Sequence, residues 1–215
     1  MAKKLFILVF LLSLLVGCAG VPLREALEEN RNIPAGKIEG NQFLGIRYPF
    51  KVSVPPHWKM TTEFPDFLEG LGFDKPGPQD KEQTDLYVFN PDTKSNVQFD
   101  LTPAGRYSNF NQEIIERLTA AGAESFKEEL EQAYGKDVNA KIGPTEPISL
   151  RGVQFAAKKF ATYTLKGVKR EQGWIYGFSE PYQIFILYMI LEEKGSNDRQ
   201  EMEKILNSFE MITKK

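Results

Sequence analysis

The chain has 215 residues, with 41% apolar and 26% charged side chains, which is ordinary globular composition and argues against wholesale disorder. Its 27 Lys and Arg face 29 Asp and Glu. No basic surplus is available for phosphate contacts, so nucleic acid is excluded as an expected partner.

Lys3 and Lys4 form a short positive start, and Leu5 to Val16 is an apolar run of 12 residues broken only by Ser13. That run is shorter than the roughly 20 residues a spanning helix needs. Small residues follow it, which is the layout of a cleaved signal peptide over residues 1–17. Leu15-Val16-Gly17-Cys18 resembles the lipobox of bacterial lipoproteins. The resemblance implies a diacylglycerol on the Cys18 thiol, cleavage just before Cys18, and acylation of the new amino terminus. Several acyl chains, at about 0.8 kcal/mol per buried methylene, anchor far more firmly than one. The expected location is the cell envelope, lipid-anchored. Ala19 next to the cysteine implies the periplasmic face of the outer membrane if the organism has two membranes. Cys18 is the only cysteine, so the reading also removes the one thiol from catalysis.

Residues 18–41 mix Gly20, Pro22, Pro34, Gly36 and Gly40 with charged side chains, and read as a lipidated start followed by a flexible tether. About 23 such residues span roughly 25 Å. A single domain is expected over 42–215. In "FLGIRYPFKVSVPPHW" two short strands are predicted, with Phe50, Val52 and Val54 alternating in the second and Pro55 ending it. Thr84 to Asn90 and Asn96 to Thr102 read as a hairpin around the turn "NPDTKS". One helix is predicted from the spacing of Ile114, Ile115, Leu118, Ala121, Phe126, Leu130, Ala133 and Tyr134. Asn109 is its expected cap, Gly135 its end, and Glu128, Glu129 and Glu131 belong to its wet side.

Four strands follow as a meander: Lys141 to Leu150, Val153 to Leu165, Lys169 to Phe178 and Tyr182 to Leu191. The last, "YQIFILYMIL", is apolar on both faces and is expected at the centre of the sheet, covered on both sides. "SNDRQEMEKILNSFEMI" is an amphipathic helix with Asn197 as cap and Met202, Ile205, Leu206 and Phe209 as its stripe. Two helices and about six to seven mostly antiparallel strands predict an α+β layered domain.

"YPFKVSVPPHW" resembles the Tyr-x-Phe opening of PsbP-like domains, and "YQIFILYMI" with "EKILNSFEMI" resembles their closing strand and helix. Pro49 departs from the pattern, which often has Gly there. The resemblance covers about residues 43 to 212. It implies an α-β-α sandwich around a mostly antiparallel sheet, and an accessory or binding protein rather than an enzyme. It brings no cofactor and no metal-binding residue that this chain matches.

His57 is the only histidine, and the chain holds no His-Glu-x-x-His, Gly-x-Ser-x-Gly or phosphate-loop motif. The candidate binding feature is the segment between Lys59 and Gln83, long for a connection without structure of its own. Phe64, Phe67, Leu71 and Phe73 are its candidate partner-binding residues. The competing expectation is a short helix near Pro65 to Gly70 whose apolar side chains cap the core. Trp174, Tyr176 and Phe178 alternate on one strand face and are expected in the core. The functional expectation is a lipid-anchored envelope protein that binds or assists another envelope protein without catalysis. A small-ligand carrier and a carboxylate-dependent hydrolase are the alternatives.

Overall fold

The computed structural model describes residues 33–77, 84–105, 109–192 and 196–212. Cys18 and most of the expected tether lie outside them.

Alternation builds the first strands. In β3 (Phe50–Ser53), Phe50 and Val52 are buried while Lys51 and Ser53 face solvent. β3 pairs antiparallel with β2 (Gln42–Gly45), and β2 pairs with β1 (Gly36–Glu39). β1 falls within the stretch expected as tether. Its Gly, Lys and Glu content resembles a linker, yet a two-residue Gly40-Asn41 loop returns it onto β2, with Gly40 at φ +57°. Gly-Asn is a hairpin turn signal. As an edge strand, β1 keeps its Lys and Glu in solvent. β12 (Glu210–Met211), from the end of the chain, adds to the other side of β3. The small sheet therefore runs β1-β2-β3-β12.

The large sheet runs β4 (Lys59–Thr61), β5 (Leu86–Phe89), β6 (Asn96–Pro103), β11 (Tyr182–Glu192), β10 (Val168–Ser179), β9 (Phe155–Leu165) and β7 (Lys141–Ile142), with β8 (Glu146–Pro147) also on β9. β11 sits between β6 and β10, as its two apolar faces predicted. The expected strand from Lys141 to Leu150 is instead the two short pieces β7 and β8. Pro144 lies between them and Pro147 is the last residue of β8, since proline has no N–H for a ladder.

The helix expected from Asn109 to Gly135 is two helices, α1 (Gln112–Ala120) and α2 (Ala123–Tyr134). Gly122, at φ +78°, turns the chain between them. Asn111, not Asn109, caps α1: its side chain accepts from the Ile114 N–H at 2.9 Å. α1 lays Ile115 against Ala157 and Phe178, and the Trp174 indole N–H donates to the Thr119 carbonyl at 2.7 Å. α2 lays Phe126 and Leu130 against Val138, Ala140 and Tyr163. On the opposite face, α3 (Asp198–Ser208) and the small sheet cover the main core. Asn197 stands at its N-cap position without a side-chain capping bond, and Met202, Ile205 and Phe209 are fully buried. The Phe209 ring lies 5.8 Å from Phe99 of the large sheet and 5.7 Å from Phe50 of the small one.

The result is the expected α+β sandwich, with three α-helices and twelve strands among the described residues. The strands divide into two sheets instead of one. Among the described residues, no helix is long and apolar enough to cross a membrane.

Candidate functional site: a groove on the outer face of the large sheet

The segment after β4 folds into a 3-10 turn, Asp66–Leu71. Pro65, with φ −72°, sets its entry. Gly72, at φ +98°, ends it by donating to the Glu69 carbonyl, while the Phe73 N–H returns to Leu68. Leu68 is buried. The Phe64 ring stands edge-on to Tyr87 at 5.8 Å, and Phe67 packs on Phe89 at 5.1 Å with the Lys94 ammonium 5.5 Å over its ring. Phe64 and Phe67 are thus half-buried on the outer face of β5. Leu71 and Phe73 go further along the sheet and line a groove.

The groove has a volume of about 330 Å³. Leu71, Gly72 and Phe73 make one wall; Phe126, Leu130, Ala133 and Tyr134 of α2 make the other. Leu187 and Met189 from β11 and Arg170 and Gln172 from β10 make its floor. Strand alternation puts these four side chains on one face, because Gln172 pairs with Met189 and Trp174 with Leu187. The exposed Glu129 stands at the rim.

Arg170 is the unusual member, an arginine only 8% exposed. Its charge acts on the Tyr163 hydroxyl, which donates to Gln172 Oε1 at 3.1 Å. Burial pushes the Tyr163 pKa up, against the pull of the Arg170 charge. Arg170 Nε is buried without a hydrogen-bond partner among the described residues. No carboxylate among them forms an ion pair with it. Among the described residues Asn96 Oδ1 and Gln98 Nε2 are also buried without a partner, and they belong to the same sheet face, since Asn96 pairs with Met189 and Gln98 with Leu187.

Other buried ionisable groups are tied into the fold. Asp85 is fully buried, accepts from the Leu101 N–H at 3.0 Å and lies 3.3 Å from Arg47. Burial raises its pKa to about 7, opposed by the Leu101 bond and the Arg47 charge. No solvent reaches it, so it links β5 to β6 and offers nothing to a substrate. Glu171 accepts from the Tyr188 hydroxyl at 3.1 Å and from Arg199 at 2.6 Å. Tyr188 lies flat over Gly173, where any Cβ would fall 2.1 Å from its ring. Asp198 accepts from Ser95 and Asn90 at 2.6 and 2.9 Å. His57 bonds Glu201 at 2.9 Å, and the Trp58 indole donates to the same oxygen at 2.8 Å.

Trp174, Tyr176 and Phe178 share a face, as their spacing predicted. Trp174 and Phe178 are buried beneath α1 and α2, and Tyr176 packs on Phe185 at 4.8 Å. Arg170 and Gln172, which precede them at the same spacing, were not singled out from the sequence. The signal was there: two polar side chains in register with an apolar stripe.

No family model and no curated protein sequence matches the chain. Solved structures do. The solution structure of cyanobacterial PsbP (CyanoP) from Synechocystis sp. PCC 6803 superposes with a TM-score of 0.51, covering 83% of this chain and 99% of that one at 10% identity. A Bacteroides thetaiotaomicron crystal structure gives 0.47 over 82% of this chain, at 12% identity, and this chain spans 50% of it. LpqN, described as involved in cell envelope biogenesis of Mycobacterium tuberculosis, gives 0.48 at 9% identity, over 80% of this chain and 85% of that one. At these identities the likeness is one of fold.

Proposed function

We propose that this PsbP-like α+β domain is the folded head of a lipid-anchored cell-envelope protein, working as a non-catalytic binding or accessory factor. The run from Lys3 to Cys18 carries the reading: a positive start, an apolar stretch too short to span, and a cysteine among small residues. Ala19 favours the periplasmic face of the outer membrane in an organism with two membranes.

The groove supports binding over catalysis. Its walls are apolar, and its buried charged side chain is a guanidinium. Arginine stays protonated throughout the ordinary pH range, so Arg170 can hold an anion but cannot shuttle a proton. Leu71 and Phe73 are available to an occupant at the groove wall. Phe64 and Phe67 contribute by holding the turn on β5. The unpartnered Arg170 Nε favours a small-ligand carrier as the second reading.

The test of the anchor is metabolic labelling with radioactive palmitate, comparing the wild-type chain with Cys18→Ala. The expected outcome is label on the wild type, found with the membrane fraction, and none on the variant. Label that persists on Cys18→Ala overturns the reading.

A further inference from the structure

We propose that the groove beside the 3-10 turn binds a small amphiphile bearing a single carboxylate, with its head on the Arg170 guanidinium and its apolar body along Leu187, Met189 and Phe126. The inference deepens the binding reading above and rests on it.

A buried cation needs compensation. Taking a guanidinium out of water costs several kcal/mol unless a partner supplies charge and acceptors, and buried charges in proteins are paired. Here Arg170 is 92% removed from solvent by its 8% exposure, and its neighbours are a neutral phenol and a neutral amide. The Nε donor of this groove-lining side chain is buried and left without an acceptor among the described residues. Among the described residues the other buried charges have partners: Glu171 has Arg199, Asp85 has Arg47, and Asp198 has the neutral donors Ser95 and Asn90. Among the described residues, Asn96 Oδ1 and Gln98 Nε2 on this same face, beside Met189 and Leu187, also lack partners.

Shape and charge narrow the occupant. The volume of about 330 Å³ suits a small molecule, near the lower end of ligand pockets at roughly 300–1,000 Å³. Apolar walls on both sides ask for an apolar body. A planar carboxylate fits the fork of donors that a guanidinium presents. Glu129 at the rim opposes a second negative charge, which favours a monoanion over a phosphate ester.

The experiment uses the full chain held in phosphatidylcholine nanodiscs, titrated calorimetrically with 4-phenylbutyrate and with its neutral counterpart 4-phenylbutan-1-ol; empty nanodiscs correct for partitioning. Saturable binding is expected, with the carboxylate about ten- to a hundredfold tighter, the size of a charge-assisted hydrogen bond. Arg170→Gln should erase that preference. Ala133→Trp, on the exposed wall of the groove, should abolish binding of both probes without disturbing the core. Equal affinity for the two probes overturns the anionic head. A preference that survives in Arg170→Gln overturns the role of Arg170, and unchanged binding in Ala133→Trp overturns the groove. If Arg170→Gln does not fold, the two probes on the wild type and on Ala133→Trp decide alone. Palmitate labelling of Cys18 does not depend on Arg170, so the anchor and the ligand fail separately.

Discussion

Single side chains decide whether buried charge is tolerated, and Asp85 is the clearest case. Its carboxyl is sealed between strands, and burial moves its pKa from 3.8 to about 7. Between these values the folded protein holds a proton that the unfolded chain releases. The contribution of Asp85 to stability is therefore greatest at and below about pH 4, falls as pH rises to about 7, and is flat above. Three pKa units correspond to roughly 4 kcal/mol, an upper bound for this one group. Asp85→Asn keeps an acceptor for the Leu101 N–H and carries no charge to bury. The expected result is that the difference between urea midpoints at pH 5 and pH 8 shrinks relative to the wild type. An unchanged difference would show that Asp85 titrates alike in both states. Arg170 poses the opposite problem, because its charge cannot be titrated away and must be met by an acceptor. Neither residue stood out in the sequence. A lone Asp before a strand and a lone Arg within one are common, and only the surrounding layers reveal what each one faces.

At the level of elements, periodicity was a sound guide wherever the pattern was long. β11 was legible as a central strand because both faces are apolar, and α3 because its stripe is clean. The hairpin of β5 and β6 was legible from its turn residues. What failed was punctuation. Gly122 looked like one more residue in a helical pattern, yet it adopts a left-handed conformation and divides α1 from α2. β1 was hidden because an edge strand keeps its polar residues outward and so resembles a linker. The α1 cap is the sharpest local claim. Asn111→Ala is expected to cost about 1 kcal/mol, because the Ile114 N–H loses its acceptor, whereas the exposed Asn109→Ala should stay within about 0.5 kcal/mol. Urea denaturation of the two variants checks it, and the reverse ranking would return the cap to Asn109. The groove was only half legible. Leu71 and Phe73 were singled out from an apolar, glycine-rich segment, but the opposing wall and floor come from helices and strands distant in sequence. No local pattern joins residue 71 to residues 130 and 170.

Over the whole molecule, the two sheets share one core. Phe50, Phe99 and Phe209 stack across it, one from the small sheet, one from the large sheet and one from the end of α3. The chain closes on itself there, since β12 pairs with β3 and the Arg151 carbonyl accepts from the Met211 N–H at 2.9 Å. This closure sets the order of events during biosynthesis. Phe50 cannot be covered until Phe209 and Met211 arrive, and those lie far downstream of it in the chain. Contacts so far apart in sequence must first overcome the loss of chain entropy between them. A ribosome-tethered chain ending at Ser208 is therefore expected to remain sensitive to protease, while one extended past Ile212 and clear of the exit tunnel becomes resistant. Resistance at Ser208 would mean that the core closes without β12. For a protein proposed to cross a membrane before it is anchored, a fold that waits for β12 keeps the emerging chain threadable until that strand has been made.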